Sequence, residues 1–380
     1  MPDRTPKDAS LWTYFASLRD KRMERCRKHS LQDILVIAIC GFICGVDNWA
    51  DMELFGWAKL EWFRTFLELP HGIPSHDTFG RVFSMVEPEA FARCFTQWVR
   101  TVADVTEGKV VAIDGKAVRR SFDKASQKAS VHLVNAWVAE NRCVLGQVAC
   151  EEKSNEITAV PQLLEMLALK GCIVTLDAMG CQKTIVEKIV EKEADYIIAL
   201  KGNQEKLHEA AKAAFACEGE GKKTALAYTE TFEEGHGRME TRRCWVTTRI
   251  EGYEQHGEWK RLKSFVLVES ERTEREKNET KVERRYFISS LSADDAERTL
   301  GIVRKHWSVE NDLHWSLDVA FREDESRVRE RQGQQNMAMM RRLALSLLKQ
   351  DTRTKAGIAG RRKKAGWSHD YLMELLTHRA

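Results

Sequence analysis

Two aspartates each come directly after an apolar run that is typical of a buried strand. Asp114 follows Val110–Ile113, and Asp177 follows Cys172–Leu176. Ligands of open α/β sheets gather at the carboxyl ends of the strands, so both carboxylates are candidate site residues. The alternative is that each aspartate only forms the turn at the end of its strand.

A third carboxylate, Glu310, lies in a segment with helical periodicity, where His314 and Asp318 follow at i+4 and i+8 on the same face. The segment is also rich in aromatic and aliphatic residues, and acids on a helix buried on several sides need metal ions, cations or hydrogen bonds. Carboxylate oxygens are the ligands that Mg²⁺ prefers. Two such ions, about 3.5–4 Å apart, stabilise the attacking and leaving oxygens of an in-line displacement at phosphorus. Asp114, Asp177 and Glu310 therefore suit metal-dependent phosphoryl transfer, and the alternative for the helix is a solvated face.

The order of the elements around these acids predicts an α/β fold with a ribonuclease H-like mixed sheet core. After an all-helical start, the patterns run as three strands, a helix, a strand, a helix and a strand. We predict five regions: a helical N-terminal region (1–105), the first part of the core (106–204), a β-rich insertion (205–284), the second part of the core with the Glu310 helix (285–350), and a basic C-terminal tail (351–380).

The helical start carries clear capping signals. Ser30 precedes a helix over Leu31–Val46, a second helix is predicted over Trp49–Leu69, and Ser75 precedes a helix over His76–Met85. Two short helices with a tight connection fit a helix-turn-helix with His76, Thr78 and Arg81 outward. A helical cap on a larger domain fits equally well.

The composition indicates an ordinary globular protein but does not identify its binding partner. The formal charge is +3 with 43% hydrophobic residues, an ordinary globular balance, although both ends of the chain are basic. No signal peptide is apparent, and the apolar run Ile34–Val46 is shorter than the roughly 20 residues of a membrane span. None of the ten cysteines forms a Cys-x-x-Cys pair, so we expect reduced thiols in a cytosolic protein.

Several stretches resemble bacterial insertion-sequence transposases of the DDE class, in particular the group that includes the H-repeat-associated proteins. The resemblance extends from about Arg27 to Lys349. The stretches that carry it are Ala112–Lys116, Thr175–Met179, His306–Trp315, Gly72–Phe79, Ala199–Gln204 and His236–Arg238.

This resemblance implies a DNA transposase in which Asp114, Asp177 and Glu310 are the catalytic metal ligands. It implies two Mg²⁺ ions, for which Mn²⁺ can substitute, and double-stranded DNA as partner, both as transposon ends and as target. We expect a homodimer in the active complex and no membrane partner. The resemblance also implies a protein of the bacterial cytoplasm that is associated with the nucleoid when it is bound to DNA.

Basic residues around the acids are candidates for contacts with DNA backbone phosphates. They are Lys116, Arg119, Arg120, Lys201 and Arg238, together with His306 and His314. For each, a solvated surface position is the alternative. We expect the N-terminal region to recognise the DNA ends, with help from the basic tract Arg361–Lys364.

The chain departs from the broader class at three positions around the glutamate. Where many relatives carry Tyr, Arg and Lys, this sequence has Val303, His306 and Leu317. His306 is the candidate replacement for the Arg, which contacts phosphate. Two rival functions stay open: a structure-selective nuclease on the same fold without strand transfer, and a catalytically inactive DNA-binding relative.

Overall fold

The computed structural model describes residues 11–102, 108–119, 130–150, 156–216, 226–235, 237–274 and 279–377. Their α-helices are α1 Leu11–Phe15, α2 Leu31–Cys44, α3 Trp49–Ala58, α4 Leu60–Phe63, α5 His76–Met85, α6 Pro88–Val102, α7 Glu156–Met166, α8 Lys183–Glu191, α9 Glu205–Ala216, α10 Ala296–His306, α11 Trp315–Val319, α12 Arg331–Gln350, α13 Ile358–Trp367 and α14 His369–Leu376. The strands are β1 Val110–Ala117, β2 His132–Val138, β3 Cys143–Cys150, β4 Ile173–Leu176, β5 Asp195–Leu200, β6 Leu226–Gly235, β7 Arg238–Thr247, β8 Ser264–Glu274 and β9 Glu279–Ser289.

The chain divides into two compact units. The first unit consists of Met1–Asp104, Gly115–Asn155 and Glu310–Ala380, and the second unit consists of Val105–Asp114 and Glu156–Val309. The division assigns the first five residues of β1 to the second unit and the last three to the first unit.

The second unit is built on a mixed sheet in the order β1-β4-β5-β9-β8-β7-β6. β1, β4 and β5 run parallel, and each contains a largely apolar run of the kind that is typical of strands covered on both faces. The remaining pairings are antiparallel, and they add the β-rich segment to this parallel core. α10 packs against β4, β6 and β7, and its Leu300 and Val303 join the buried core of this unit.

The first unit has its core around α2 and α12. Ten of the fourteen residues of α2 are buried, as expected for a helix that is hydrophobic all round. α12 packs against α2, α5, α6 and β3. The long apolar helices are thus covered within one chain, and they give no support to the expected homodimer.

The predicted caps of the N-terminal helices are confirmed. The Ser30 hydroxyl accepts a hydrogen bond from the backbone N–H of Asp33 at 2.9 Å, and the Ser75 hydroxyl accepts one from Thr78 at 3.4 Å. His76 and Arg81 are exposed, whereas Thr78 is half-buried. The His76 backbone N–H and its ring Nδ1 both lie within hydrogen-bond distance of Glu53 on α3.

Three predicted elements were wrong in extent. The helix expected over Trp49–Leu69 breaks after Ala58 and ends at Phe63. β1 does not end at Asp114 but continues to Ala117. The β-rich insertion has a strand, Leu226–Gly235, that was not predicted because its residues are mostly polar and charged. The charged run at 275–281 predicts a solvated hairpin tip, and part of this run lies outside the described residues.

The basic C-terminal segment is not an extended tail. It forms α13 and α14, and the basic tract Arg361–Lys364 lies in α13. Arg362 is 5% exposed; its guanidinium donates to the Phe42 carbonyl and to Asp47 and stacks over the Phe321 ring at 4.1 Å. Arg361 donates to three main-chain carbonyls. Two members of the tract therefore hold the first unit together and do not offer free cations to DNA.

No single helix in the portions of chain given above is long and apolar enough to cross a membrane. Only a pair bent by 97°, Glu24–Cys44 with Trp49–Ala58, meets the length and composition test when joined. The seven cysteines at 40, 94, 143, 150, 172, 181 and 244 are buried.

A fully buried ion pair lies at the centre of the first unit. Arg342 Nη1 donates to Glu323 Oε1 at 2.6 Å, and its Nε donates to the Asn135 side chain at 2.6 Å. Both charged side chains have no exposed surface. Burial raises the pKa of Glu323, but the charges of Arg342 and Arg341 outweigh it and leave that pKa below its usual value.

We predict that Glu323→Ala lowers the free energy of unfolding by about 3–5 kcal/mol, since it leaves the Arg342 charge buried without its partner. The double variant Glu323→Leu/Arg342→Met recovers most of this loss because it removes both charges. Urea denaturation at pH 7 measures the effect. Glu209→Gln, which breaks an exposed pair with Lys212, is the control and leaves the midpoint unchanged. The prediction would be contradicted if Glu323→Ala and Glu209→Gln changed the free energy of unfolding by the same amount.

Candidate active site

The parallel pairing of β1 and β4 brings the two aspartates to the same edge of the sheet. Ile113 is the register partner of Leu176, so Asp114 and Asp177 are the next residues on neighbouring strands. Both are half-buried. The sequence prediction that both carboxylates gather at the carboxyl ends of parallel strands is consistent with this register, although β1 itself continues past Asp114.

The carboxylate of Asp177 is held by the turn that follows it. Its Oδ1 accepts hydrogen bonds from the backbone N–H groups of Met179 at 3.0 Å and Gly180 at 3.3 Å. Asn203 supports the same turn by donating to the Ala178 carbonyl at 2.7 Å. Within the portions of chain given above, Asp177 Oδ2 has no hydrogen-bond partner, so the orientation of the group is fixed while one oxygen stays available to a cation.

His306, the last residue of α10, contacts β4, the strand that ends just before Asp177. Its Nδ1 is 2.9 Å from the Thr175 hydroxyl. Burial lowers the pKa of His306 to about 4, although the nearby Asp177 opposes that shift. A neutral ring differs from the cationic phosphate contact that the resemblance implies here. The next residue, Trp307, instead carries the guanidinium of Arg285 over its ring at 4.7 Å.

Glu310 lies in a π-helical turn, Val309–His314, and not in a regular α-helix. The prediction of one α-helical stripe through Glu310, His314 and Asp318 was therefore wrong, because a π-turn contains more residues than an α-turn. Such single turns occur frequently at functional sites. Glu310 is exposed and belongs to the first unit, whereas both aspartates belong to the second unit.

The chain after the π-turn is anchored by Lys116. Lys116 is 8% exposed, and its Nζ lies 2.7 Å from Asp318 Oδ1 and 3.5 Å from Asp324 Oδ1. Arg119, which is exposed, reaches the same Asp324 at 3.3 Å. Lys116 is thus an internal ion-pair partner of two carboxylates, which makes it a poor candidate for a phosphate contact.

The other basic candidates differ in their surroundings. Lys201 follows β5 and Arg238 opens β7 next to a tight turn; both are exposed. Burial lowers the pKa of His314 to about 3, with Lys116 adding to the shift, so this ring is neutral at physiological pH. Arg120 lies outside the described residues, as does His236.

Among the described residues, no three His, Cys, Asp or Glu side chains form a ready metal-ligand group. The two aspartates nevertheless suit a hard cation: they are carboxylates at one sheet edge, and one of them presents a fixed oxygen. The inclusion of Glu310 in a shared metal site stays a prediction.

Comparison with known proteins defines the class. Residues 106–347 match the family described as Transposase DDE domain, and residues 12–99 match the one described as DDE_Tnp_1-associated. The chain therefore belongs to the DDE transposase family. This membership confirms the predicted fold: a ribonuclease H-like mixed sheet core with a β-rich insertion, preceded by a helical N-terminal region.

Two individual relatives are similar to this protein over almost the whole chain. The protein named "Putative transposase YncI" of Escherichia coli O157:H7 is 40% identical over 370 residues, 97% of this chain and 94% of the relative. The "H repeat-associated putative transposase YhhI" of Escherichia coli K12 is 37% identical over 372 residues, 97% of both chains. A shorter relative from the same strain, 43% identical over 56 residues, 15% of this chain and 67% of the relative, is named "Inactive transposase YbfQ". The resemblance inferred from the sequence motifs is confirmed.

Sequence reasoning missed the residues that support the acids. Thr175 and Asn203 lie in stretches already noticed, but their bonds to His306 and to the Asp177 turn join positions far apart in the chain. The only sequence signal was their place: Thr175 is the one polar residue in an apolar strand, and Asn203 follows the Lys-Gly pair after β5.

We predict that Lys116→Met lowers the free energy of unfolding by about 1 kcal/mol at pH 7, a figure that allows for solvent screening of the half-exposed Asp318. Burial already raises the pKa of Asp318 and Lys116 opposes that rise, so the variant raises this pKa further. The variant is therefore destabilised by the full amount at pH values above the pKa of Asp318 in the folded variant. The destabilisation shrinks as the pH falls through that pKa.

Urea denaturation of Lys116→Met at pH 7 and pH 4 measures this difference. Adding Asp318→Asn removes the unpaired charge and restores most of the loss. Lys206→Met, an exposed lysine on α9, is the matched control. A loss that is independent of pH would mean that the aliphatic packing of Lys116 matters and its charge does not.

Proposed function

We propose that this protein is an active DNA transposase that cuts the ends of its own mobile element and joins them to target DNA. The observation that supports this most is the parallel register of β1 and β4, which makes Asp114 and Asp177 neighbours at one sheet edge in a chain of the DDE transposase family. In this proposal Asp114, Asp177 and Glu310 are the catalytic acids and the metal ligands.

The acids act as ligands and not as proton carriers. When bound, two Mg²⁺ ions, or Mn²⁺ in their place, would supply Lewis-acid stabilisation of the attacking and leaving oxygens at phosphorus. Asp177 suits the role because its Oδ1 is fixed by two backbone N–H groups, so its Oδ2 is presented without a further loss of side-chain freedom. Thr175 and His306 restrict the strand and the helix next to it.

The reaction has two steps, and each step breaks one P–O bond of a phosphodiester and forms another. Water first attacks the phosphodiester at a transposon end and releases a 3′-hydroxyl. This hydroxyl then attacks a phosphodiester of the target, so that one P–O bond forms as another breaks. Exposed Lys201 and Arg238 are the better candidates for positioning backbone phosphates, since Lys116 pairs with Asp318 and Arg119 pairs with Asp324.

DNA ends are recognised, in this proposal, by the helical N-terminal region, where His76 and Arg81 of α5 are exposed. A homodimer follows from the need to hold two DNA ends together and has no other support.

We predict that Asp114→Asn, Asp177→Asn and Glu310→Gln each reduce DNA cleavage by at least about 100-fold while leaving DNA affinity within about twofold, because oxygens that bind metal are lost and phosphate contacts are kept. A cleavage assay on DNA that carries the element's terminal inverted repeats, with Mg²⁺ or Mn²⁺, measures the first quantity, and a gel-shift titration in Ca²⁺ measures the second. Glu205→Gln, an exposed carboxylate on α9, is the control.

The same assay separates the two rival functions. A nuclease without strand transfer cleaves the repeats but yields no product joined to a target plasmid. An inactive DNA-binding relative, the alternative that the name "Inactive transposase YbfQ" raises, binds DNA and does neither. Cleavage that survives all three substitutions would overturn the assignment of the acids.

A further inference from the structure

A pocket of about 360 Å³ in the first unit has a buried arginine in its wall. It lies where the turn before α3 meets the segment that leads into α12, and this volume is within the range of small-ligand sites. Its lining residues are Asp47, Asn48, Trp49, Arg322, Glu325, Ser326, Arg327, Val328, Met337 and Arg341. None of them is among the acids or the basic candidates of the proposed reaction.

Arg341 is the unusual member of this wall. It is 1% exposed, yet within the described parts of the chain its guanidinium makes no hydrogen bond, and its Nε is a buried donor without a partner. The ring of Phe42 is 6.0 Å away. The adjacent Arg342 is equally buried but is bonded to Asn135, Glu323 and the Ala338 carbonyl. Buried arginines are normally paired, so an unpaired one that lines a pocket indicates a missing acceptor.

The charges around the pocket favour an anion. Its two carboxylates already have partners, because Asp47 accepts from Arg362 and Glu325 pairs with Arg322. Arg341 and Arg327 are then the two cations of the lining that make no hydrogen bond or ion pair among the described residues, although the charge of Arg341 also acts on the buried Glu323. Arg327 is exposed.

The N-terminus of α3 adds to this field. Asn48 caps the helix by accepting from the Asp51 N–H, and both Asn48 and Trp49, the first helical residue, line the pocket. The first N–H groups of a ten-residue helix and the positive end of its dipole favour a negative group at this place. Two guanidinium groups without hydrogen bonds and a helix N-terminus supply the N–H donors and the positive charge that phosphate oxygens require.

We propose that this pocket is a binding site for a phosphate group, in which Arg341 is the buried anchor and Arg327 the exposed second contact. The phosphate comes either from free phosphate or from a backbone position of bound DNA. The site itself does not depend on the proposed transposase function, and only the DNA source rests on it.

Isothermal titration calorimetry of the full chain with inorganic phosphate, against chloride at the same ionic strength, tests the site. The original protein binds one phosphate. Arg341→Met, which replaces the buried charge by a side chain of similar length, weakens binding by about tenfold or more, as expected for the loss of charge-assisted hydrogen bonds. Arg327→Gln weakens binding several-fold, and Lys355→Gln, an exposed residue outside the pocket, leaves it unchanged.

Two results overturn the proposal: no phosphate binding by the original protein, or binding that neither arginine variant weakens. Circular dichroism checks that Arg341→Met folds, and Arg327→Gln keeps the test decisive if it does not, because Arg327 is exposed.

The salt dependence of DNA binding distinguishes the two sources. If a DNA phosphate fills the pocket, Arg341→Met reduces the slope of log K against log salt by about 1. An unchanged slope together with lost phosphate binding assigns the pocket to free phosphate. If the original protein does not cleave DNA, that result counts against the transposase proposal but leaves the conclusion from the phosphate titration unchanged.

Discussion

The pairing of two short parallel strands is the constraint on which the candidate site depends. The paired residues of β1 and β4, Val110–Ile113 and Ile173–Leu176, are all buried, so a shift of one residue along either strand would draw an aspartate into the buried part of the sheet. The same register that buries Ile113 and Leu176 therefore fixes the next residue on each strand. The positions of Asp114 and Asp177 are a consequence of core packing, and the acids need no separate interaction to become neighbours.

This is why the sheet and its two aspartates could be predicted from sequence. Continuous apolar runs predict buried strands, and the order of these strands along the chain restricts how they can pair. The strand Leu226–Gly235 was missed because its threonines and glutamates lack that signal and its pairing with β7 supplies the missing stabilisation. The π-turn at Glu310 was missed for a related reason: helical periodicity presumes about 3.6 residues a turn, and nothing in the residue types marks where a turn takes more.

Basic residues were the least predictable part of the site. Lys116 and Arg362 are candidate DNA contacts by sequence, yet each is buried and bonded to an acid that lies far away in the chain. A buried charge needs a partner, and the identity of that partner is a property of the tertiary structure. Net charge near each end of the chain thus says little about DNA contact, because much of the positive charge neutralises carboxylates within the first unit.

The π-turn also limits how this part of the chain can change in length. An α-helix rotates by about 100° per residue, so the extra residue in the turn offsets everything after it by that angle relative to a regular helix. If the turn became an ordinary α-turn at the same chain length, Asp318 would therefore turn away from Lys116 unless Glu310 turned instead. A deletion of one residue between Glu310 and His314 would let the turn relax to α geometry with both flanks in place, so we expect such a deletion to be tolerated better than an insertion.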